Sequence, residues 1–126
     1  MPGGSAADPA RAWYRPAPER ARERAKGVAI TRLVEESLYF ALLYERWIPV
    51  SNRNVARDGY FGGMPGMLRK LITNQIVTSV EKSCHGQGFG RLSSEERRRK
   101  AFADLEALEV LVGDGPHVLG RPTPVD

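Results

Sequence analysis

Cys84 is the only thiol in the chain, and His85 beside it is one of two imidazoles. A thiolate served by a base is a nucleophile, but the two groups usually meet across a fold rather than along the chain. A buried or half-buried thiol is therefore expected here. Glu35 and Glu36 offer two carboxyls for acid–base work, yet adjacent helical residues diverge by about 100° and cannot share one proton. One of them is expected to pair with Arg32. Gly86-x-Gly88-x-Gly90 has the outward form of a phosphate-cradling loop, but no strand precedes it and its third spacing is wrong for a dinucleotide fingerprint. It reads as a turn. Arg97-Arg98-Arg99-Lys100 sets four cations around one helical turn, with Glu95 and Glu96 before them and Asp104 and Glu106 after. That pattern reads as a solvated helix with internal ion pairs rather than a phosphate patch. Tyr39, Tyr44 and Trp47 can line a pocket as well as a core, because each has an apolar body and a polar tip. They are the candidate substrate-binding residues.

No Gly-x-Ser-x-Gly, Walker loop, His-Glu-x-x-His or pair of spaced cysteines occurs, so neither a catalytic set nor a metal site is expected. One cysteine allows no internal disulfide, and with two histidines it falls short of the usual four-ligand zinc site.

The elements that must position these residues can be read from breakers and periodicity. Residues 1–17 are small, polar and proline-punctuated, with Trp13 and Tyr14 as the exceptions, and are expected to be a disordered tail. Between Pro18 and Ile48 there is no proline and only Gly27 as a breaker, so a long first helix is expected. Ile30, Leu33, Val34, Leu38, Ala41 and Leu42 form its core stripe. Pro49 ends it, and Ser51-Asn52-Arg53-Asn54 is expected to be a connector. After the breaker cluster Gly62 to Gly66, the residues Leu68, Leu71, Ile72, Ile76 and Val80 recur at helical intervals, which predicts a second helix over 65–84. Ile72, Thr73, Ile76 and Val77 also suit a strand, but the period is nearer 3.6 than 2. Ser93 and Glu96 have the spacing of a capping box, opening a third helix that Gly113 stops. Its expected buried face is Ala101, Leu105, Leu108 and Val112, with Phe102 and Leu111 beside them. Thr123-Pro124-Val125-Asp126 has the cap, first-turn proline and acid of a further helix start, so the chain is expected to be a fragment. The class is all-α.

At 126 residues the chain suits one compact unit, and 41% hydrophobic with 27% charged residues fits a globular body. Residues 1–26 carry six bases and three acids, which leaves thirteen bases and twelve acids in the rest. With the body nearly balanced, no basic stripe of the kind nucleic acid requires is expected, and nucleic acid is set aside as a partner. No stretch reaches the ~20 apolar residues of a membrane span, and the start lacks a secretory signal, so the expected compartment is the cytoplasm.

Three ordered stretches carry a family resemblance: Thr31 to Phe40 continuing through Tyr44-Glu45-Arg46-Trp47, then Phe61-Gly62-Gly63-Met64-Pro65, then Gly86 to Ser93. Together they resemble the carboxy-terminal helical domain of glutathione S-transferase-like proteins, closest to the metaxin and failed-axon-connections branch. The likeness runs from Pro18 to Asp126, with Leu119 to Asp126 similar to the capping box that opens the family's central helix. The resemblance implies an incomplete bundle of about three helices over 18–126, truncated before that central helix, which would wall a hydrophobic-substrate pocket. It also implies a separate amino-terminal thioredoxin-like domain that binds glutathione. That domain is absent from this sequence, so the chain alone is expected to hold no cofactor and to be inactive as a transferase. The alternative is a helical protein-interaction module without transferase activity, its open apolar face meeting a partner or a second copy.

Overall fold

The structure is a computed structural model that describes residues 18–122. The expected tail over 1–17 and the helix start at Thr123 to Asp126 lie outside the described residues. All regular elements among the described residues are helical: α1 (Glu19–Arg32), a π-helical segment (Leu33–Leu38), α2 (Tyr39–Trp47), α3 (Val50–Phe61), α4 (Gly66–Gln87), a 3-10 turn (Phe89–Arg91) and α5 (Ser94–Val112). The all-α reading is right, and the strand alternative for α4 is not realised.

The first rod forms as its composition requires. Pro18 stands at its N-cap and Glu19 lies in the first turn, where a carboxylate meets the positive end of the helix dipole. The rod continues through the π segment into α2 without a break. Arg32 and Glu36 form the expected pair at 3.2 Å. Within the π-helical segment, Ser37 donates its hydroxyl to Asp104 of α5, and the Glu36 carbonyl accepts from Gln87 Nε2 of α4 at 2.7 Å.

Among the described residues four rods are present rather than about three, because the expected connector over Ser51 to Asn54 is helical. Pro49 ends one helix and serves as N-cap of the next, with the Arg53 N–H donating to the Pro49 carbonyl at 2.9 Å. The polar run was misleading because α3 has no fully buried residue and is held by Ala56 and Phe61, which pack half-buried against the core. Arg53 also donates to the Trp47 and Ile48 carbonyls at 2.9 and 2.8 Å, satisfying acceptors that the end of α2 leaves open.

α4 closes on Gly88, whose φ of +111° is the left-handed conformation that favours glycine. The Gly86-x-Gly88-x-Gly90 run is thus a helix end and a turn. At the start of α5 the capping box is complete: Ser93 Oγ accepts from the Glu96 N–H, and Glu96 Oε2 accepts from the Ser93 N–H at 2.7 Å. Gly113 caps the far end.

The core is narrower than the sequence pattern suggested. It centres on Trp47, Val80 and Cys84, with Phe40, Leu43, Tyr44, Ile48, Ala56, Phe61 and Ile76 around them, where α2, α3 and α4 meet. Ile30, Leu38 and Ala41 of the expected first stripe are buried, whereas Val34 and Leu42 are exposed. On α4, Leu68 and Leu71 are exposed, and on α5 Phe102 and Leu105 are too. The physical reason is geometric. Helical spacing gives an apolar face, but so few rods leave the flanks of each face without a neighbour to cover them. No helix among the described residues is long and apolar enough to cross a membrane.

Candidate functional site

A cleft of about 570 Å³ opens between α2 and α5. Its apolar wall includes Tyr44 from α2 and Ile48 just after it, Phe89 from the 3-10 turn, and Phe102 and Leu105 from α5. Exposed aromatic and branched side chains in a concavity of this size are the usual lining of a small-molecule site. Each wall follows from a local feature. Trp47 anchors α2 in the core, Gly88 turns the chain so that Phe89 points inward at 3% exposure, and the Ser93 cap fixes where α5 starts.

Of the three candidate residues, Tyr44 alone lines this cleft. Its ring meets Phe89 edge-on at 5.8 Å, and the guanidinium of Arg97 lies 4.3 Å from its centroid. Trp47 belongs to the core and stacks on Tyr60 at 6.1 Å. Tyr39, 53% exposed, meets Phe40 edge-on at 5.4 Å. The spacing explains the split. Tyr44 and Trp47 lie about 60° apart around an ideal helix, while Tyr39 is about 140° from Tyr44, so one cleft does not gather all three.

Arg97 was not visible as a site residue. The run Arg97 to Lys100 disperses its charges, as expected, and Arg99 pairs with Glu95 at 3.3 Å. Arg97 instead folds back over the cleft. It donates to the Leu92 carbonyl and to Ser94 Oγ, while its Nε is buried without a hydrogen-bond partner. The signal that could have found it is its position three residues after the first residue of a capped helix, on the side facing Phe89.

Cys84 is fully buried, and its Sγ lies 3.9 Å from the Phe40 carbonyl. Burial pushes the thiol's pKa up, because the thiolate loses its hydration. His85 is exposed while Cys84 is buried, and no hydrogen bond joins them, so the adjacent pair does not form a nucleophile and its base. No group of three or more His, Cys, Asp or Glu among the described residues could hold a metal ion.

No protein-family model and no solved structure matches this chain.

Proposed function

We propose that this chain is a helical domain of the glutathione S-transferase-like kind, which forms one wall of an apolar ligand pocket. The chemistry would come from a thioredoxin-like domain that binds glutathione, and the cytoplasm would be its setting. The observation that supports the reading is the α2–α5 cleft, in which Tyr44 and Phe102, with the buried Phe89 behind them, present aromatic surface to a concavity of about 570 Å³. The chain's one cysteine takes no part in this cleft: it is buried elsewhere, with its pKa raised. Tyr44 carries the apolar contact in this reading, Trp47 holds its helix in place, and Tyr39 lies outside the pocket.

Fluorescence titration with the neutral apolar probe N-phenyl-1-naphthylamine tests it, with glutathione titrated separately. The expected result is saturable probe binding that Tyr44→Ala weakens severalfold, without glutathione binding and without conjugation of an electrophile. Probe binding indifferent to Tyr44, or turnover by this chain alone, refutes the reading.

A second reading, a helical interaction module, is favoured by a different observation. Met67, Leu68 and Leu71 fall at i, i+1 and i+4 in the first turns of α4, with Met64 just before its N-cap, and all four are exposed, Met67 at 88%. Such a stripe is the usual geometry of a helix that meets another helix or a partner surface. Light scattering separates the readings: concentration-dependent association lost on Leu71→Glu supports a module that meets its own copy, and a monomer at all concentrations argues against that pairing.

A further inference from the structure

We infer that the seam between α3 and α4 is a binding site for a phosphoryl group, independent of the cleft at Tyr44. α3 presents Arg53, Asn54 and Arg57 to the seam, and α4 presents Arg69, Lys70 and Asn74, around a cleft of about 350 Å³. The spacings 53, 54, 57 and 69, 70, 74 are those of single helix faces, so the two faces meet along one short groove. Helices usually turn apolar residues toward each other at such a seam. Here Ala56 and Phe61 do so, and the open edge of the seam carries four cations besides.

The compensation is incomplete. Asp58 is the one carboxylate that pairs with these cations among the described residues, at 2.9 Å from Arg57 Nε and 3.7 Å from Arg69 Nη1. Arg53 spends two donors on the carbonyls at the end of α2, which fixes its position but leaves its charge unneutralised. Lys70 pairs with no carboxylate among the described residues, and the first turn of α4 contains no acid. The side chains of Arg57 and Arg69, stem and head together, are about two-thirds covered. Like charges held this close repel, and an oxyanion relieves the repulsion while taking the unused donors.

The charge and the donor geometry choose the ligand class. Arginine forks match the paired oxygens of a phosphoryl group, and a group carrying more than one negative charge suits a site of net positive charge better than a single carboxylate. The seam is one short groove rather than a track, whereas nucleic acid is held by many cations along a stripe. The phosphoryl group can belong to a soluble phosphate ester or to a phosphorylated lipid headgroup.

Isothermal titration of the full chain with inorganic pyrophosphate, at ionic strength matched with sodium chloride, tests the site. A parallel arm uses phosphatidylcholine vesicles with and without phosphatidylinositol bisphosphate. Saturable binding is expected in at least one arm. It should weaken tenfold or more in the Arg69→Gln/Lys70→Gln double variant and strengthen in Asp58→Asn, because Asp58 competes for the same guanidiniums. Pyrophosphate binding identifies a soluble ester, and binding only to the phosphorylated vesicles identifies a headgroup. Should the double variant fail to fold by circular dichroism, Lys70→Gln and Asp58→Asn carry the same test with opposite signs. Absence of binding in both arms, or binding that neither variant changes, overturns the site.

Discussion

The guanidinium of Arg97 lies 4.3 Å from the centre of the Tyr44 ring, so a cation on α5 is held against the face of an aromatic on α2. Arg97 also donates to the Leu92 carbonyl and to Ser94, so one side chain ties the loop before α5, the first turn of α5 and the end of the leading rod together. A cation over a ring is worth about 0.5–2 kcal/mol according to how far it is desolvated. Arg97→Met keeps much of the volume but removes the charge and every donor. The expected loss is about 1–3 kcal/mol, including the acceptors left unpaired. Arg97→Lys recovers part of it, because an ammonium keeps the ring contact and loses the fork. Urea unfolding of the three proteins checks the order.

The capping box at α5 predicts a local loss with a clear boundary. Ser93→Ala removes the acceptor for the Glu96 N–H and is expected to cost about 1 kcal/mol. The same change should speed amide exchange in the first turn of α5 and leave the end of α4 protected, since Gly88 caps that helix without help from Ser93. Exchange measured residue by residue distinguishes this from general loosening.

How far the fold was legible depended on whether the deciding signal was local. The Ser93–Glu96 box, the glycine stop at Gly113 and the turn at Gly88 are made by residues within a few positions of one another, and their chemistry can be read in one dimension. α3 was missed because its helicity depends on Arg53 meeting the end of the preceding helix and on packing of Ala56 and Phe61 against the core. Neither is visible in a polar run. Periodicity found the apolar faces of α4 and α5, but it could not say which part of a face has a neighbour, so Leu71 and Leu105 were misplaced. The site was partly legible for the same reason. Tyr44 was named from its type and position, while Arg97 was hidden among three neighbouring cations that point elsewhere. The nearly balanced charge of the body likewise concealed the seam, since a sum along the chain says nothing about which cations two helices bring together.

The acid limb of stability should carry the mark of two carboxylates. Hydrogen bonds from Ser93, its backbone N–H first, hold Glu96 below the ordinary glutamate range, and the Arg57 side chain does the same for Asp58. A depressed carboxyl pKa contributes stability that is fully present above its unfolded value, near pH 4, and is lost as the pH falls through the folded value. Stability is therefore expected to fall below about pH 4. Glu96→Gln and Asp58→Asn should each flatten that fall. Denaturation midpoints measured from neutral pH down to pH 2 check it, and an unchanged acid limb in both variants would contradict the assigned bonds.

Burial makes a direct statement about Cys84. With no exposed surface and its pKa raised, the thiol is expected to resist Ellman's reagent in the native protein and to react at once in guanidinium. The rate of labelling under native conditions then reports opening of the core, and Trp47→Ala should raise it, because Trp47 packs in the same cluster. Truncating a buried tryptophan costs about 3–5 kcal/mol, a large share of what a small domain has.

Two glycines four residues apart should respond to alanine with opposite signs. Gly90 lies in the 3-10 turn, where an added Cβ would stand 2.9 Å from the His85 nitrogen and 3.0 Å from the Cys84 carbonyl carbon. Both are backbone atoms of α4, so the turn must lift away and carry Phe89 out of its buried position. A loss of about 1–3 kcal/mol is expected, as for other forced overpacking. Gly86 lies inside α4, with nothing within 4 Å of the same added atom. There, alanine removes backbone freedom from the unfolded chain and should stabilise by about 0.5–1 kcal/mol. Thermal unfolding of Gly90→Ala and Gly86→Ala beside the unmodified chain settles both signs. If Gly90→Ala is neutral, the turn is not packed against the end of α4, and the position of Phe89 in the cleft wall falls with it.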